Sequence, residues 1–441
     1  MRAPSRWFVA FFTFAFVAAS AAPVVVTAAE RPNIVLIVAD DQAYGDFGFM
    51  GHKQIQTPRL DRFAAESLTF TQGYVPSSLC RPSLATILTG LYPHQHKIFS
   101  NDPPLPAVTG KGKGKAKNAE AAAEFNRLRE RQIAHVDTAP TLPRLLGAEG
   151  YASFQTGKWW EGNFKRGGFT DGMTQGTRHG DAGLTIGRET MQPIYDFVDR
   201  SVAEKKPFFV WYAPFMPHTP HTPPQRLLDK YLPLAPTEHV AKYWAMCEWC
   251  DETCGQLFDF LDQRKLRDNT IVVFVVDNGW IQDPNAQKYA PKSKQSQYDG
   301  GLRSPIMIRY PGHIAPRKSD ALASSVDIAP TLLKACGLPA DPAMQGLDLF
   351  DDKAVAARTQ LFGEIFTHNA VDVDEPSTSV RFRWTRSGNW KLIVPTTSNE
   401  PGAEVELYDL AADPTETKNL AAAEPARVAE LSKQLDAWWK P

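Results

Sequence analysis

Cysteine is scarce in this chain of 441 residues: Cys80, Cys247, Cys250, Cys254 and Cys336 are the only five. That is too few for a scaffold built on disulfides. Neither sign of charge is in excess. The 48 lysines and arginines nearly cancel the 49 aspartates and glutamates, leaving a net −1. Such a balance gives no basis for a nucleic-acid groove or an anionic-membrane patch. Long apolar runs are missing beyond the N-terminus. The first run, Trp7 to Ala19, follows Arg2 and Arg6 and precedes the small residues Ser20 to Ala22 and Thr27 to Ala29. The pattern predicts an export signal over residues 1–29, cut after Ala22 or Ala29, and a periplasmic or extracellular protein. Its apolar core is short for a membrane span, so an uncleaved anchor is the lesser alternative. Adjacent arginines are lacking too, which argues against twin-arginine export. No later segment reads as a span.

A set of histidines and cysteines at zinc spacing is also absent from the strand endings described below. Cys247, Cys250 and Cys254 recur at i, i+3 and i+7 within a helical run from Tyr243 to Leu261. They share a face with Tyr243, Leu257 and Leu261, which predicts a core stripe of thiols acting as small apolar groups. Cys336 reads as buried as well. His94 and His96 read as loop histidines, solvated or hydrogen-bonded. The stretch Gly110 to Lys115 alternates glycine and lysine and reads as a solvated surface loop, followed by a helix over about 119–132.

What the chain does have is a series of β-prone runs with polar endings. Asn33 to Val38 is nearly continuous apolar sequence, as expected of a strand buried on both faces. It ends in Asp40 and Asp41. Tyr151 to Thr156 ends in Gly157-Lys158, Phe208 to Tyr212 leads to His218, and Thr270 to Val276 ends in Asp277-Asn278. Helical segments separate these runs. Alternating β and α segments predict an α/β fold with a large, mostly parallel sheet flanked by helices. Ligands of such sheets bind outside the carboxyl ends of the strands, so the four endings are expected on one rim. After about Ala356 the pattern changes to short strands in polar surroundings, closed by a helix carrying Val428, Leu431 and Leu435. This predicts a small C-terminal antiparallel-sheet subdomain. The resulting division is 30–355 for the main α/β domain and 356–441 for the α+β subdomain.

Asp40, Asp41, Asp277 and Asn278 are hard oxygen donors, a set suited to Ca²⁺ or Mg²⁺ and not to zinc. Calcium tolerates loose geometry and is available outside the cytoplasm, which favours it. Lys158, Lys294 and His218 would complete a clamp for an anion. The stretch Ser77 to Gly90 brings in sulfur. Leu84, Ile87, Leu88 and Leu91 recur at helical spacing, predicting a helix from about Pro82 to Gly90 with Cys80 just before it.

Cys80-Arg81-Pro82-Ser83, followed by Leu88-Thr89-Gly90, resembles the sulfatase signature Cys-x-Pro-Ser-Arg…Thr-Gly. Gly157-Lys158-Trp159 resembles the family's Gly-Lys-Trp-His motif. The Asp40-Asp41 and Asp277-Asn278 pairs look like its two calcium-binding pairs, and His218 like the histidine after its central strand. Lys294, ahead of Tyr298-Asp299-Gly300-Gly301, resembles its second lysine. The stretch from Glu406 to Leu420 resembles its C-terminal subdomain.

The resemblance implies a formylglycine-dependent hydrolase of the alkaline-phosphatase superfamily that releases sulfate from a sulfated small molecule or polysaccharide. In that family the cysteine, here Cys80, is converted by a formylglycine-generating maturation enzyme, and the hydrated aldehyde is the nucleophile and a calcium ligand. Asp40, Asp41, Asp277 and Asn278 would hold the ion with position 80. Lys158, His218 and Lys294 would be catalytic. Two positions depart from the family: Leu84 stands where it has arginine, and Trp160 where it has histidine. Arg81 and His221 are the residues that could compensate. The alternatives are a phosphate or phosphonate ester hydrolase of the same superfamily, and a sulfated-glycan binder that keeps Cys80 as a thiol.

Overall fold

The computed structural model describes Met1, residues 31–106 and residues 115–441. The expected export signal and nearly all of the glycine–lysine stretch lie outside the described residues. Residues 32–441 form one compact unit.

Its centre is an eight-stranded sheet. In chain order the strands are β1 (Asn33–Ala39), β2 (Leu68–Tyr74), β3 (Ala152–Gly157), β4 (Asp171–Gly172), β5 (Phe208–Ala213), β6 (Thr270–Val276), β7 (Ile306–Arg309) and β8 (Arg317–Ser324). Their spatial order is β4-β3-β5-β1-β6-β7-β2-β8. The run β4-β3-β5-β1-β6 is parallel throughout, and β7 alone runs against its neighbours. Every residue of β1, β5 and β6 is buried, which is why their sequences are continuously apolar rather than alternating.

The two faces of the sheet pack separate cores. Ile34, Leu36 and Val38 meet Leu84, Ile87 and Leu88 and the helix Ile328–Ala335 on one side. Val35 and Ile37 meet α1 (Pro58–Ala65) and the helices Gln192–Ala203 and Glu238–Gln263 on the other. Cys250 and Cys254 sit in that second core, and Cys247 packs beside Tyr243 in a smaller cluster. All five cysteines are buried, and none of them is in a disulfide among the described residues. No helix among the described residues is long and apolar enough to cross a membrane.

Several expectations need adjusting. α2 (Cys80–Thr89) starts two residues earlier than predicted, so Cys80 is its first residue rather than its predecessor. Leu79 is extended and its carbonyl accepts the Ser83 N–H at 3.1 Å. Pro82 therefore occupies the third position, where an N–H still has no intrahelical acceptor to miss. His94 and His96 lie in a short helical turn, Pro93–His96, not in a loop. His96 is buried against Thr86, and His94 bonds Glu364. The helix predicted over 119–132 spans Lys115–Ala134. β8 went unread because it is a half-exposed edge strand of mostly polar sequence.

The second sheet is four-stranded and antiparallel, in the order β12-β11-β10-β9: β9 (Gln360–Phe366), β10 (Val380–Ser387), β11 (Trp390–Pro395) and β12 (Glu406–Asp409). It grips the segment that leads to Cys80. The carbonyl of Pro76 accepts Trp384 Nε1–H at 3.1 Å and the Glu364 N–H at 2.9 Å. Lys391 of β11 reaches out of its sheet to Asp299 at 2.8 Å and Glu416 at 2.7 Å, all three buried. Removing one partner from such a group strands the other charges without water. Lys391→Ala should therefore cost about 3–5 kcal/mol of stability, read as a lowered urea midpoint. An unchanged midpoint would show that the two sheets are not held together here.

Candidate active site

The adjacency β3-β5-β1-β6 and its parallel sense bring four strand ends to one edge. Ala39 of β1 is level with Val276 of β6, and Gly157 of β3 with Ala213 of β5. The next residues along each strand are Asp40-Asp41, Asp277-Asn278, Lys158 and the loop to His218. Gly157 makes the close approach possible. It sits at φ +73°, and a Cβ there would lie 1.8 Å from the Ala213 carbonyl oxygen, so no larger residue fits. The turn sends Lys158 inward, with its own N–H bonded to that same oxygen at 2.7 Å.

The acids are packed together and out of water. Asp277 Oδ1 accepts the backbone N–H groups of Asp41 (3.0 Å) and Asn278 (2.7 Å). Asn278 Nδ2 donates to Asp41 Oδ1 at 2.7 Å. Lys158 Nζ is 2.6 Å from Asp40 and 3.6 Å from Asp277. Lys294 Nζ lies 2.6 Å from each Asp41 oxygen and 2.9 Å from Cys80 Sγ. Lys294 arrives from a distant loop, tied in place by Gln295 N–H to the Ser78 carbonyl at 2.9 Å and by Ser78 Oγ to the Ser296 carbonyl at 2.6 Å. His218 places Nε2 3.4 Å from Asp41 and gives Nδ1 to the Thr219 carbonyl.

These neighbours set the charge states. Burial disfavours the charge on both lysines, but the surrounding acids outweigh it and hold both ammonium groups above their usual value. Burial opposes the Asp41 carboxylate too, yet the Lys294 and Lys158 ammonium groups keep it well below the usual range. Asp40 is pushed up by burial and by Asp277 and Asp41, against Lys158. Burial lifts the Cys80 thiol to about 12, so as a cysteine it stays protonated at neutral pH. Burial holds His218 neutral.

The donor set fits a hard cation. Asp40 Oδ2, Asp277 Oδ2 and Asn278 Oδ1 are buried oxygens without a hydrogen-bond partner. Burying such acceptors is costly unless something compensates them. Asp40, Asp41, Cys80 and His218 offer ligand atoms within 4.8 Å of one another. Oxygen donors of this kind suit Ca²⁺.

The two departures from the expected motif are neighbours in space. Leu84 and Trp160 line one apolar pocket with Ala85, Leu88 and Trp159. Arg81 does not fill the gap. Its buried guanidinium is spent on Glu161, at 2.7 and 2.6 Å, and on Gln132 and Asn101. His221 is buried between Tyr243 and Trp280, with both ring nitrogens unpartnered. Sequence reading missed Glu161 and its pairing with Arg81, since nothing local marks a carboxylate 80 positions away as a partner. It also missed His179 and Arg178, which a glycine-rich loop carries to the rim.

The family model described as Sulfatase matches residues 32–338, and the model for the N-sulphoglucosamine sulphohydrolase C-terminal region matches residues 291–439. The chain is 30% identical over 384 residues to the N-acetylgalactosamine-6-sulfatase of Sus scrofa, covering 75% of this chain and 67% of that protein. It is 25% identical over 520 residues to an N-acetylgalactosamine-6-O-sulfatase of Bacteroides thetaiotaomicron, covering 92% and 93%. The crystal structure of Ps i-CgsB in complex with k-i-k-neocarrahexaose superposes with a TM-score of 0.71 at 22% identity, over 93% of each chain.

If the orphaned oxygens bind a cation, Ca²⁺ at 100 times its dissociation constant should add about 2.7 kcal/mol of stability. Thermal unfolding with calcium and with chelator should show the shift, and Asp277→Asn should abolish most of it. Equal midpoints in both conditions would count against the site.

Proposed function

This chain belongs to the sulfatase family of sulfuric-ester hydrolases, and we propose that it is an exported enzyme releasing inorganic sulfate from a sulfated carbohydrate. The observation that carries this reading is the position of Lys294, 2.9 Å from Cys80 Sγ and 2.6 Å from Asp41. One ammonium group thus joins the reactive position to the cation-binding acids. The sulfated sugars named for the pig and Bacteroides relatives support the substrate class.

Charge supports a singly charged substrate group. Asp40, Asp41 and Asp277 against Lys158 and Lys294 leave one negative charge, with His218 neutral. A divalent ion, which Asp40, Asp41, Asp277, Asn278 and residue 80 would hold, would make the set singly positive. A sulfate monoester, with its single negative charge, brings it to neutrality.

Formylglycine made from Cys80 would supply the nucleophile, and a calcium ion held by Asp40, Asp41, Asp277 and Asn278 would supply stabilisation of charge on the sulfuryl oxygens. The chain's own groups do the remainder. Lys158 and Lys294, fixed and charged, meet the sulfuryl oxygens as charge builds on them. His218 has its Nδ1–H committed to the Thr219 carbonyl, so Nε2, bare in the neutral ring, takes up the proton given off by the attacking hydroxyl and passes it to the leaving oxygen. The aromatic and aliphatic wall behind α2 keeps water from the buried end of the site. Leu84 and Trp160 are part of that wall and carry no charge to the reacting group. A formylglycine-generating enzyme is the implied maturation partner.

Tryptic mass spectrometry of protein co-expressed with such an enzyme should find formylglycine at position 80. That protein should release sulfate from a panel of sulfated saccharides, and Lys294→Ala should lower kcat/KM by about 10²–10³. An unmodified Cys80, or turnover of phosphonate esters without any of sulfate esters, would overturn the reading.

A further inference from the structure

Beside the group around Cys80 stands a second set of side chains that the reaction above does not use. Residues 173–188 follow β4 and fold back over the end of β3. Asp181 accepts the N–H groups of Gln175 and Gly176, each at 2.8 Å, and Thr174 Oγ1 donates to the Gly180 carbonyl at 3.0 Å. The Trp159 N–H donates to the His179 carbonyl at 3.0 Å. Gly180 approaches so closely that a Cβ there would lie 2.4 Å from the Gly157 oxygen. The loop is therefore docked against the same turn that aims Lys158.

Docking puts the His179 ring at the edge of the site. Its centroid is 4.4 Å from that of Trp160, 5.6 Å from Phe215 and 6.1 Å from His218. Arg178 covers Trp160, with its guanidinium carbon 4.5 Å from the ring centroid. Its Nε and Nη2 donate to the two Asp102 oxygens at 3.0 and 2.8 Å, and its Nη1 donates to His179 Nε2 at 2.8 Å. Asp102 is itself held by its N–H to the His368 carbonyl (3.3 Å) and by the Ala370 N–H to its own carbonyl (2.9 Å).

A guanidinium has donors only, so His179 Nε2 must accept. The ring proton then sits on Nδ1. Burial, with Lys158, Arg178 and Lys294 nearby, keeps a second proton off the ring and its pKa far below the usual histidine range. Nδ1–H has no protein acceptor among the described residues. The arrangement is an oriented, uncharged donor rather than a titrating group.

We propose that His179, oriented by the Asp102–Arg178 pair, donates through Nδ1 to an oxygen on the sugar portion of the substrate, with Arg178 as its positioning residue. The inference rests on the sulfated-carbohydrate reading above. His218 serves the leaving oxygen, and His179 is next to it. The oxygens within reach of His179 are therefore those of the leaving alcohol. The sulfuryl oxygens fall to Lys158 and Lys294 on the inner side. Phe215, half-buried, stacks on His218 and lies beside His179, which fixes the spacing of the two rings.

The test reads binding without turnover, by calorimetry on the full chain carrying Cys80→Ser and loaded with calcium. The probes are N-acetylgalactosamine monosulfates differing in the sulfated position, with 4-nitrophenyl sulfate as the ligand lacking a sugar. His179→Ala should weaken the tightest sugar by about 10-fold, the worth of one hydrogen bond, and weaken the aryl sulfate several-fold less. His179→Asn, whose amide nitrogen can stand in for Nδ1, should recover most of the loss, and His179→Gln should not. Arg178→Ala should reproduce the loss on sugars and abolish the Nδ1–H tautomer signature of His179 in isotope-labelled NMR spectra. Equal losses on sugar and aryl ligands, or equal behaviour of the Asn and Gln variants, would overturn the assignment. If no sugar binds, the assignment falls. The function falls with it only if the unsubstituted, matured enzyme also releases no sulfate, so the two failures are separable.

Discussion

Three buried carboxylates at one sheet edge repel one another, and the molecule is arranged to tolerate that repulsion. Asp40, Asp41 and Asp277 sit where no water can dilute their charge. Lys158 and Lys294 are drawn to them from segments far apart in sequence, and backbone N–H groups turn towards Asp277. Repulsion of this size in a low-dielectric interior has to be answered by fixed positive charge. The two lysines answer it incompletely, and the unpartnered oxygens of Asp40 and Asp277 are the remainder. A site left short of positive charge has an affinity for cations built in.

Much of this was legible because strand ends are legible. A parallel sheet with adjacent β3, β5, β1 and β6 forces the residues after Gly157, Ala213, Ala39 and Val276 onto one rim. Apolar runs and their polar endings can be read without knowing the strand order. The order itself could not be read, and neither could the reversal of β7. Polar edge strands such as β8 leave no hydrophobic pattern. The start of α2 was misplaced because proline suits any of the first helical positions, so Pro82 did not distinguish a start at residue 80 from one at residue 82. Pairings across the fold, such as Arg81 with Glu161 or Asp102 with Arg178, have no local signature at all.

Leu84 and Trp160 are best understood together. They line one largely apolar pocket, and Glu161 next to Trp160, which also lines it, anchors Arg81 of the same helix. A charged residue at position 84 would enter that apolar pocket. The guanidinium of this helix instead stands at position 81, one step after the cysteine, neutralised by its own carboxylate. Position 84 thus brings no charge to the site, and Lys294 is the positive group in contact with Cys80.

The grip of the small sheet on the Pro76 carbonyl has a consequence in time. Trp384 and Glu364, which hold that carbonyl, belong to strands made long after Cys80 has left the ribosome. Until β9 and β10 exist, the approach to α2 lacks its clasp. Afterwards the sulfur is enclosed, with Cys80 only 1% exposed. A reagent or catalyst larger than water would have to reach this side chain before the last-made segment folds over its approach.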